Sequence, residues 1–426
     1  MRSLASLLAA LSIVSCAGPP GDPGPQGPEG PPGSSIEDEA TGSERGPCYG
    51  NGTCDAGLTC ASDVCVQFGE DEGEGEGEGE GEGEGEGEGE GEGEGEVPCV
   101  TVEGSVTIQN SLDVVAMANV CVVTGNVFVV GADGLTDISL PVLESVGGVV
   151  SVQNSANLVS LSLPALTTAG DVFIISNAAM TSFSLPVLES VTNSVAIASN
   201  AVLVGLSVPA LGNVGLDVNI SSNERLASLS LPEFVSAGGE VRIQSNPVLT
   251  GLTLPLLAST EGALIIDFNS ALASVFLPAL RSVGGNLFIR ANATLTSISL
   301  PELANADSLV SIVNNGSLTS ISLPVFATAG GDVSVTANAA LPSLSLPTLA
   351  SVGGSLFIDL NSALLSVLLP ALASVGEGVS LASNTVLQSV SLPALASVGD
   401  GLFIGGNGAL TSCAGALIVN VGDCVQ

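Results

Sequence analysis

The sequence contains no histidine, no lysine and no tryptophan, and arginine supplies all six of its basic side chains. Without histidine there is no imidazole base, no Ser/His/Asp or Cys/His nucleophile pair and no histidine metal ligand. An enzyme would have to work with carboxylates and arginines. We therefore expect no enzymatic activity, no metal site and no cofactor.

Positive charge is equally scarce, since the formal net charge is −37. Of the 43 acidic residues, 15 lie between Glu70 and Glu96 in a Gly-Glu repeat, so much of the acidity belongs to one segment. Nucleic acid and anionic lipid surfaces both bind basic proteins. The charge therefore argues against nucleic acid as a partner and against electrostatic docking on a membrane.

Residues 1–16 resemble the signal peptide of bacterial lipoproteins. Arg2 precedes an apolar run from Leu4 to Val14, and the run ends in "IVSC" at Cys16. The resemblance implies that Cys16 is lipidated and anchors the protein in a bacterial cell envelope, at the outer membrane or cell surface. An ordinary signal peptide that is cleaved nearby is the alternative.

The nine cysteines also favour export with one lipid-bearing residue. Eight of them can pair, and Cys16 is the one left over. One group forms a cluster and the others flank the two ends of the long C-terminal region: Cys48, Cys54, Cys60 and Cys65, then Cys99 and Cys121, then Cys413 and Cys424. Disulfides fit an oxidising, extracytoplasmic compartment.

Three short segments separate the signal from the C-terminal region. Residues 17–47 include six collagen-like Gly-X-Y triplets, which predict an extended spacer, with weak trimerisation as the alternative. The cysteine spacing in 48–68 resembles EGF-like or Dickkopf-like knots, and a zinc site is the alternative. The Gly-Glu repeat of 69–96 predicts a disordered linker.

Residues 97–426 form a repeat array. Proline recurs every 23 residues with a single step of 22, at Pro141, Pro164, Pro186, Pro209, Pro232, Pro255, Pro278, Pro301, Pro324, Pro347, Pro370 and Pro393. Such regularity indicates a solenoid. Apolar residues alternate in each unit, with proline and Gly-Gly at corners, which favours strands over helix. We predict an all-β fold, a right-handed parallel β-solenoid of about 13 turns with disulfides near its ends.

The unit "VGGNLFIRANATLTSISLPEL" resembles receptor L-domains and related leucine-rich-repeat proteins. In that family, L-x-I/L-x-x-N forms the parallel strand and the corner that follows it. The resemblance covers residues 97–426 and recurs in every unit. It implies the fold, but those scaffolds bind many unrelated partners, so it does not name a ligand.

Within a turn we count positions from the proline, which is position 0. Position 14 is asparagine in eleven turns, allowing for the 22-residue step: Asn177, Asn200, Asn223, Asn246, Asn269, Asn292, Asn315, Asn338, Asn361, Asn384 and Asn407. Asn292 lies in the glycan sequon "NAT". Because the amide recurs once per turn, we interpret it as a structural ladder in which stacked side chains satisfy each other and the corner backbone.

In a repeat protein, a binding site is expected where the repeat is broken. Polar, charged and aromatic residues gather at positions 8, 10 and 12 of four neighbouring turns: Asp217, Asn219, Glu240, Arg242, Gln244, Asp267, Phe288 and Arg290. One interpretation is a ligand surface on which Arg242 and Arg290 hold a carboxylate, a phosphate or a sugar hydroxyl. The other is an ordinary solvated face with an exposed Asp267–Arg290 pair of small energetic value.

Together these features predict a cell-surface lipoprotein that displays its solenoid for adhesion to, or recognition of, a protein or glycan. It would contact the membrane through its lipid anchor only. A passive structural coat protein without a discrete ligand is the alternative. A polysaccharide-acting β-helix enzyme with carboxylate groups is a remote one.

Overall fold

The computed structural model describes residues 59–61, 64–66 and 99–415. The chain divides into two units, Met1–Gly91 and Glu92–Gln426. In the first, strands Thr59–Ala61 and Val64–Val66 pair antiparallel, and the pairing of the four-cysteine cluster stays a prediction. The predictions for residues 1–47 and 69–96, and those for Cys48, Cys54 and Cys424, lie outside the described residues.

The second unit is an all-β parallel solenoid of about 14 turns with a 23-residue repeat, as the sequence predicts. We name its longest run of paired strands the front ladder. The front strands are Val106–Ile108, Val127–Val130, Ser145–Gln153, Thr168–Ile175, Val195–Ala198, Val218–Ser221, Val241–Gln244, Leu264–Asp267, Leu287–Arg290, Val310–Val313, Val333–Thr336, Leu356–Phe357, Gly378–Ala382 and Gly401–Gly405.

Two further ladders complete each turn. The corner ladder begins at Val100–Val102 and Val120–Val123, passes through the first residues of Ser145–Gln153 and Thr168–Ile175, and continues through short strands. These are Ser190–Val191, Asn213–Val214, Ser236–Ala237, Ser259–Thr260, Ser282–Val283, Asn305–Ala306, Thr328–Ala329, Ser351–Val352, Ser374–Val375 and Ser397–Val398.

The back ladder carries the Ser-x-Ser residues of positions 19 to 21. Its strands are Asp137–Ser139, Ser160–Ser162, Ser182–Ser184, Gly205–Ser207, Ser228–Ser230, Gly251–Thr253, Ser274–Phe276, Ser297–Ser299, Ser320–Ser322, Ser343–Ser345, Ser366–Leu368, Ser389–Ser391 and Ser412–Ala414. Paired strands in the solenoid run parallel, one turn against the next, and those of the back ladder form four separate sheets.

The N-terminal end departs from the repeat. A helix, Ser111–Ala116, follows the first front strand, and Asn110 caps it by accepting hydrogen bonds from the backbone N–H groups of Leu112 and Asp113. This turn departs from the 23-residue period, since Val106 pairs with Val127, only 21 residues later, and the sequence-based estimate of about 13 turns is one short. A disulfide joins Cys99 to Cys121 at this end, and Cys413 at the other end is also disulfide-bonded.

The core is a single apolar column inside the turns, from Ile108 to Ile404. In the turn that begins at Pro278, the inward residues Leu280, Leu287, Ile289 and Leu295 are each 0% exposed. Alternation along the strands places these side chains inside and the intervening ones outside. Stacking therefore buries in every turn an apolar face that one turn alone could not bury.

Close stacking of turns favours glycine at position 6, which nine of the twelve proline-marked turns have, the exceptions being Thr192, Glu261 and Asp307. A Cβ at Gly376 would overlap the carbonyl oxygen of Gly353, and one at Gly353 would overlap that of Gly330. Between these glycine-bearing turns the backbones therefore approach too closely for a side chain. The Gly-Gly signal of the sequence has this steric cause.

The asparagines of position 14 form a continuous, buried ladder. Asn292 is 0% exposed. Its Oδ1 accepts a hydrogen bond from the Asn269 backbone N–H at 3.0 Å, and its Nδ2 donates to the Ile266 carbonyl at 2.8 Å. The Asn292 N–H in turn donates to Asn315 Oδ1 at 3.1 Å. Each amide thus pairs backbone groups that the corner would otherwise bury without partners.

The residue before each ladder amide has a left-handed backbone. Ten non-glycine residues that precede ladder asparagines have φ between +55° and +61°, including Phe268 and Leu360, and Gly406 precedes the last of these asparagines with a φ of +73°. For L-residues this conformation costs roughly 1–2 kcal/mol per residue. The ladder hydrogen bonds hold the backbone in this conformation, and ten of the eleven positions have no glycine that would have signalled it.

Replacing Asn292 by alanine leaves the Asn269 N–H and the Ile266 carbonyl buried without partners. Each such group costs about 1–3 kcal/mol, so we expect Asn292→Ala to lower the free energy of unfolding by about 2–5 kcal/mol in urea titrations. Asn219→Ala is the matched control, because Asn219 Oδ1 has no hydrogen-bond partner. Equal, small losses from both substitutions would contradict the structural role of the ladder.

Leu360 combines a φ of +61° with a side chain that is 56% exposed. We expect Leu360→Gly to relieve backbone strain and to raise the free energy of unfolding by up to about 1 kcal/mol. Leu365, 44% exposed in the same turn, is not among the positive-φ residues and provides the control. There a glycine should lower stability by about 0.5–1 kcal/mol. A loss of stability in both variants would show that the left-handed backbone carries no strain.

Candidate functional site

The front ladder brings all eight predicted ligand-binding residues onto one face. At position 10, Asn219, Arg242, Ile265 and Phe288 lie side by side on successive strands. At position 12, Gln244, Asp267 and Arg290 do the same, while Asp217 and Glu240 occupy position 8. We call this set, with Ile265, the front patch.

Arg290 forms a two-point ion pair with Asp267. Its Nη2 and Nε lie 2.6 and 3.1 Å from Asp267 Oδ2, and its ring neighbour Phe288 lies 3.9 Å beneath the guanidinium carbon. The Arg290 backbone N–H also donates to Asp267 Oδ1, at 3.1 Å. Such bidentate contacts to a carboxylate are among the stronger side-chain hydrogen bonds.

The expectation that both members of the Asp267–Arg290 pair are exposed is wrong for the Asp267 carboxylate. The side chain of Asp267 is 2% exposed, whereas that of Arg290 is 38% exposed. Asp267 lies between Gln244 and Arg290 in the ladder, so long neighbours stand on both sides of a short residue. An unpaired carboxylate at that depth would be costly, so Arg290 has a structural task as well as any binding role.

Arg242 is held along its own strand. Its Nε and Nη2 lie 2.7 and 2.6 Å from Glu240 Oε1, and its Nη1 donates to Gln244 Oε1 at 2.8 Å. Glu240 and Gln244 flank Arg242 on the same outward side of the strand. All three guanidinium nitrogens are therefore engaged.

Ile265 belongs to the patch although its polarity gave no signal in the sequence. It points outward at position 10 and is nevertheless 5% exposed. Its ladder neighbours are Arg242 and Phe288, the two long side chains of that column. The front patch is thus a small packed layer outside the sheet, with an apolar residue beneath charged ones.

The patch leaves one polar group open to a ligand. Arg290 Nη1 has no hydrogen bond within the described part of the chain, whereas Asn219 Oδ1 also lacks a partner but is buried. A ligand anion would have to add to, or compete with, the carboxylates that already hold both arginines. The sequence-based assignment of Arg242 and Arg290 to ligand binding stays a prediction.

A second group of side chains lies farther along the same ladder. Phe357 and Phe403 line a cavity of about 310 Å³ with Ser380 between them. In the adjoining turn, Asp359 Oδ1 accepts hydrogen bonds from Ser380 Oγ at 2.9 Å and from the Ala382 N–H at 2.7 Å. Burial raises the pKa of Asp359 above its usual value, and these two hydrogen bonds oppose the rise.

A larger groove of about 770 Å³ follows the corner ladder between Ala306 and Gly399. Small residues such as Ser351, Gly353 and Ser374 line it. Its glycines have the steric cause described above, so this stripe of small residues reflects the stacking of turns.

Within residues 99–415 and the two short strands before them, no three His, Cys, Asp or Glu side chains are grouped so as to hold a metal ion. The one helix of that same part of the chain is too short to cross a membrane. No protein-family model, curated protein or solved structure matches this chain.

The raised pKa of Asp359 makes stability depend on pH. Between the usual and the raised pKa the folded state binds more protons than the unfolded state, so stability falls as pH rises through that window. An asparagine side chain in place of Asp359 can still accept hydrogen bonds from Ser380 and Ala382, but it carries no charge. We expect Asp359→Asn to gain stability relative to the wild type as pH rises from 3.5 toward 7, the range to scan in thermal melts.

Ser380→Ala removes the hydrogen bond that favours the charged form of Asp359, so it should steepen the loss of stability with rising pH. Parallel pH curves for the wild type and both variants would show that burial of Asp359 does not affect stability.

Proposed function

We propose that the protein is a surface recognition protein whose front face binds a protein or a glycan. The observation that carries this is a contrast between two faces of one solenoid. Outward residues of the front ladder change from turn to turn, as in Asn219, Arg242, Ile265 and Phe288. Outward residues of the back ladder repeat serine in most turns, as in Ser297–Ser299 and Ser320–Ser322.

Stacking does not explain the contrast. Stacking constrains the inward apolar residues, the ladder asparagine and, in most turns, the corner glycine. The outward side chains of both ladders lie outside these positions, yet those of the front vary in size and charge, whereas those of the back are serine in most turns. A passive coat protein has no need for this difference, whereas a ligand that contacts only the front would select it.

The mode of display is part of the proposal. Cys16 would carry the lipid, and segments 17–47, 48–68 and 69–96 would form the spacer, the disulfide knot and the linker that hold the solenoid away from a bacterial envelope. The resemblance of the repeat unit to receptor L-domains and leucine-rich-repeat proteins supports recognition as the function of such a scaffold. Because the net charge of the chain is −37, its proposed partners are proteins and glycans rather than nucleic acids.

Binding of the full-length protein to glycan arrays and to whole cells tests the proposal. Arg290→Lys is the sharpest variant, because lysine keeps a cation beside Asp267 while removing the planar fork and the free Nη1. We expect it to weaken binding by about tenfold, the usual effect of losing a charged hydrogen bond. Arg242→Ala should also weaken binding.

The control is Ser299→Ala with Ser322→Ala, which alters the back ladder alone. It should bind as the wild type does. Equal binding by front and back variants would remove the front patch as the site. The absence of any binding to cells or arrays would favour the passive coat instead.

A further inference from the structure

Two exposed phenyl groups flank a cavity on the front ladder, well away from the front patch. Phe357 and Phe403 both occupy position 10, one strand to either side of Ser380. They are 37% and 59% exposed, and they line a cavity of about 310 Å³ together with Ser380 and Asp400. We call this cavity the phenyl slot. Its volume suits one small ligand or one group of a larger ligand.

The slot stays open because small residues surround the rings. Gly378 and Gly401 at position 8 line its floor and place no side chain in it. Strands in a sheet are about 4.8 Å apart, so the backbones of Phe357 and Phe403 are separated by about 9.6 Å. A group midway between the two backbone columns lies about 5 Å from each column, a spacing comparable with the ~6 Å reach of a cation to an aromatic ring.

The polar groups of the slot are acceptors. Ser380 Oγ donates its proton to Asp359 Oδ1 at 2.9 Å, which leaves its lone pairs toward the cavity. The exposed carboxylate of Asp400 lines the slot, and exposed Glu377 occupies the equivalent position of the preceding turn. No arginine lines the slot. These acceptor and acidic groups disfavour binding of an anion and favour a ligand that carries positive charge.

A sugar ring would also stack on phenyl groups, but it suits this slot less well. Its hydroxyls would lose water on binding, and only Ser380 and Asp400 offer polar side chains to replace it. A quaternary ammonium group needs no directional hydrogen bond. It is attracted by the faces of aromatic rings and by a nearby carboxylate.

We infer that the phenyl slot binds an alkylammonium group, such as the trimethylammonium group of choline, between Phe357 and Phe403. The inference rests on the proposed recognition function and names the chemistry of one group on the ligand. Phe357 and Phe403 supply the ring faces, and Asp400 supplies the opposite charge. The contacts of Ser380 with Asp359 keep the floor fixed.

Titration of the full-length protein with choline chloride, followed by calorimetry or NMR, tests this inference. We expect binding that is at least about tenfold tighter than that of 3,3-dimethylbutan-1-ol, the uncharged molecule of the same shape, because only the cation gains ring and carboxylate attraction. Methyl glucoside is the sugar probe and should not compete with choline.

Phe357→Ala and Phe403→Ala should each weaken choline binding about fivefold, since a single exposed cation–ring contact is worth about 1 kcal/mol. Asp400→Asn should weaken it several-fold because it removes the opposite charge. Phe173→Ala is the matched control, because Phe173 occupies the same column far from the slot. Equal binding of choline and its uncharged counterpart would overturn the inference. So would binding of methyl glucoside alone, or choline binding that the two phenylalanine variants leave unchanged.

The outcomes separate this inference from the proposed function. Choline binding that depends on Phe357 and Phe403, without any binding to cells or arrays, would support the slot and remove the function. Binding to cells that neither choline nor the phenylalanine variants alter would support the function and remove the slot.

Discussion

The asparagine ladder is the interaction on which the rest of the solenoid depends. A 23-residue turn must leave its front strand at a sharp corner, and there the backbone groups turn into the core. The amide of asparagine carries a donor and an acceptor on one short side chain. It can therefore accept a hydrogen bond from an N–H of the neighbouring turn and donate one to a carbonyl of that turn. Residues such as Asn292 do this while fully buried.

That constraint divides each turn into positions that are fixed and positions that are free. The ladder hydrogen bonds hold a left-handed residue such as Leu360, and the close corner behind the sheet requires glycines such as Gly376. Outward residues on the front strands are subject to neither requirement. There the protein carries the Asp267–Arg290 pair and the phenyl slot, and the function that we propose depends on these groups.

Much of the fold could be predicted from the sequence, because the period and the apolar pattern of the repeat reflect the geometry of one turn. The spacing of proline and asparagine predicts the length of a turn. The alternation of apolar residues such as Leu287 and Ile289 predicts which face of the strand is buried. The turn at Val106–Ile108 escapes notice because it lacks the 23-residue spacing and contains a short helix. The left-handed residues before the ladder asparagines escape notice because, apart from Gly406, they are not glycines.

The candidate sites were less predictable, since they depend on neighbours that are 23 residues apart in sequence. Asp267 lies on the outward side of its strand, and nothing in its own turn shows that Arg290 and Gln244 bury it. Ile265 gives no polar signal at all. Phe357 and Phe403 lie on alternate turns, and only the small residues between them make that spacing a cavity.

Hydrogen exchange of the ladder backbone amides tests the central role of the asparagines most directly. The Asn292 N–H donates to Asn315 Oδ1 at 3.1 Å in a fully buried corner. The account predicts that this amide and its counterparts in the interior turns exchange only when the solenoid unfolds, with protection equal to that of the core strand amides. Exchange as fast as that of exposed turn residues such as Gly316 would contradict it.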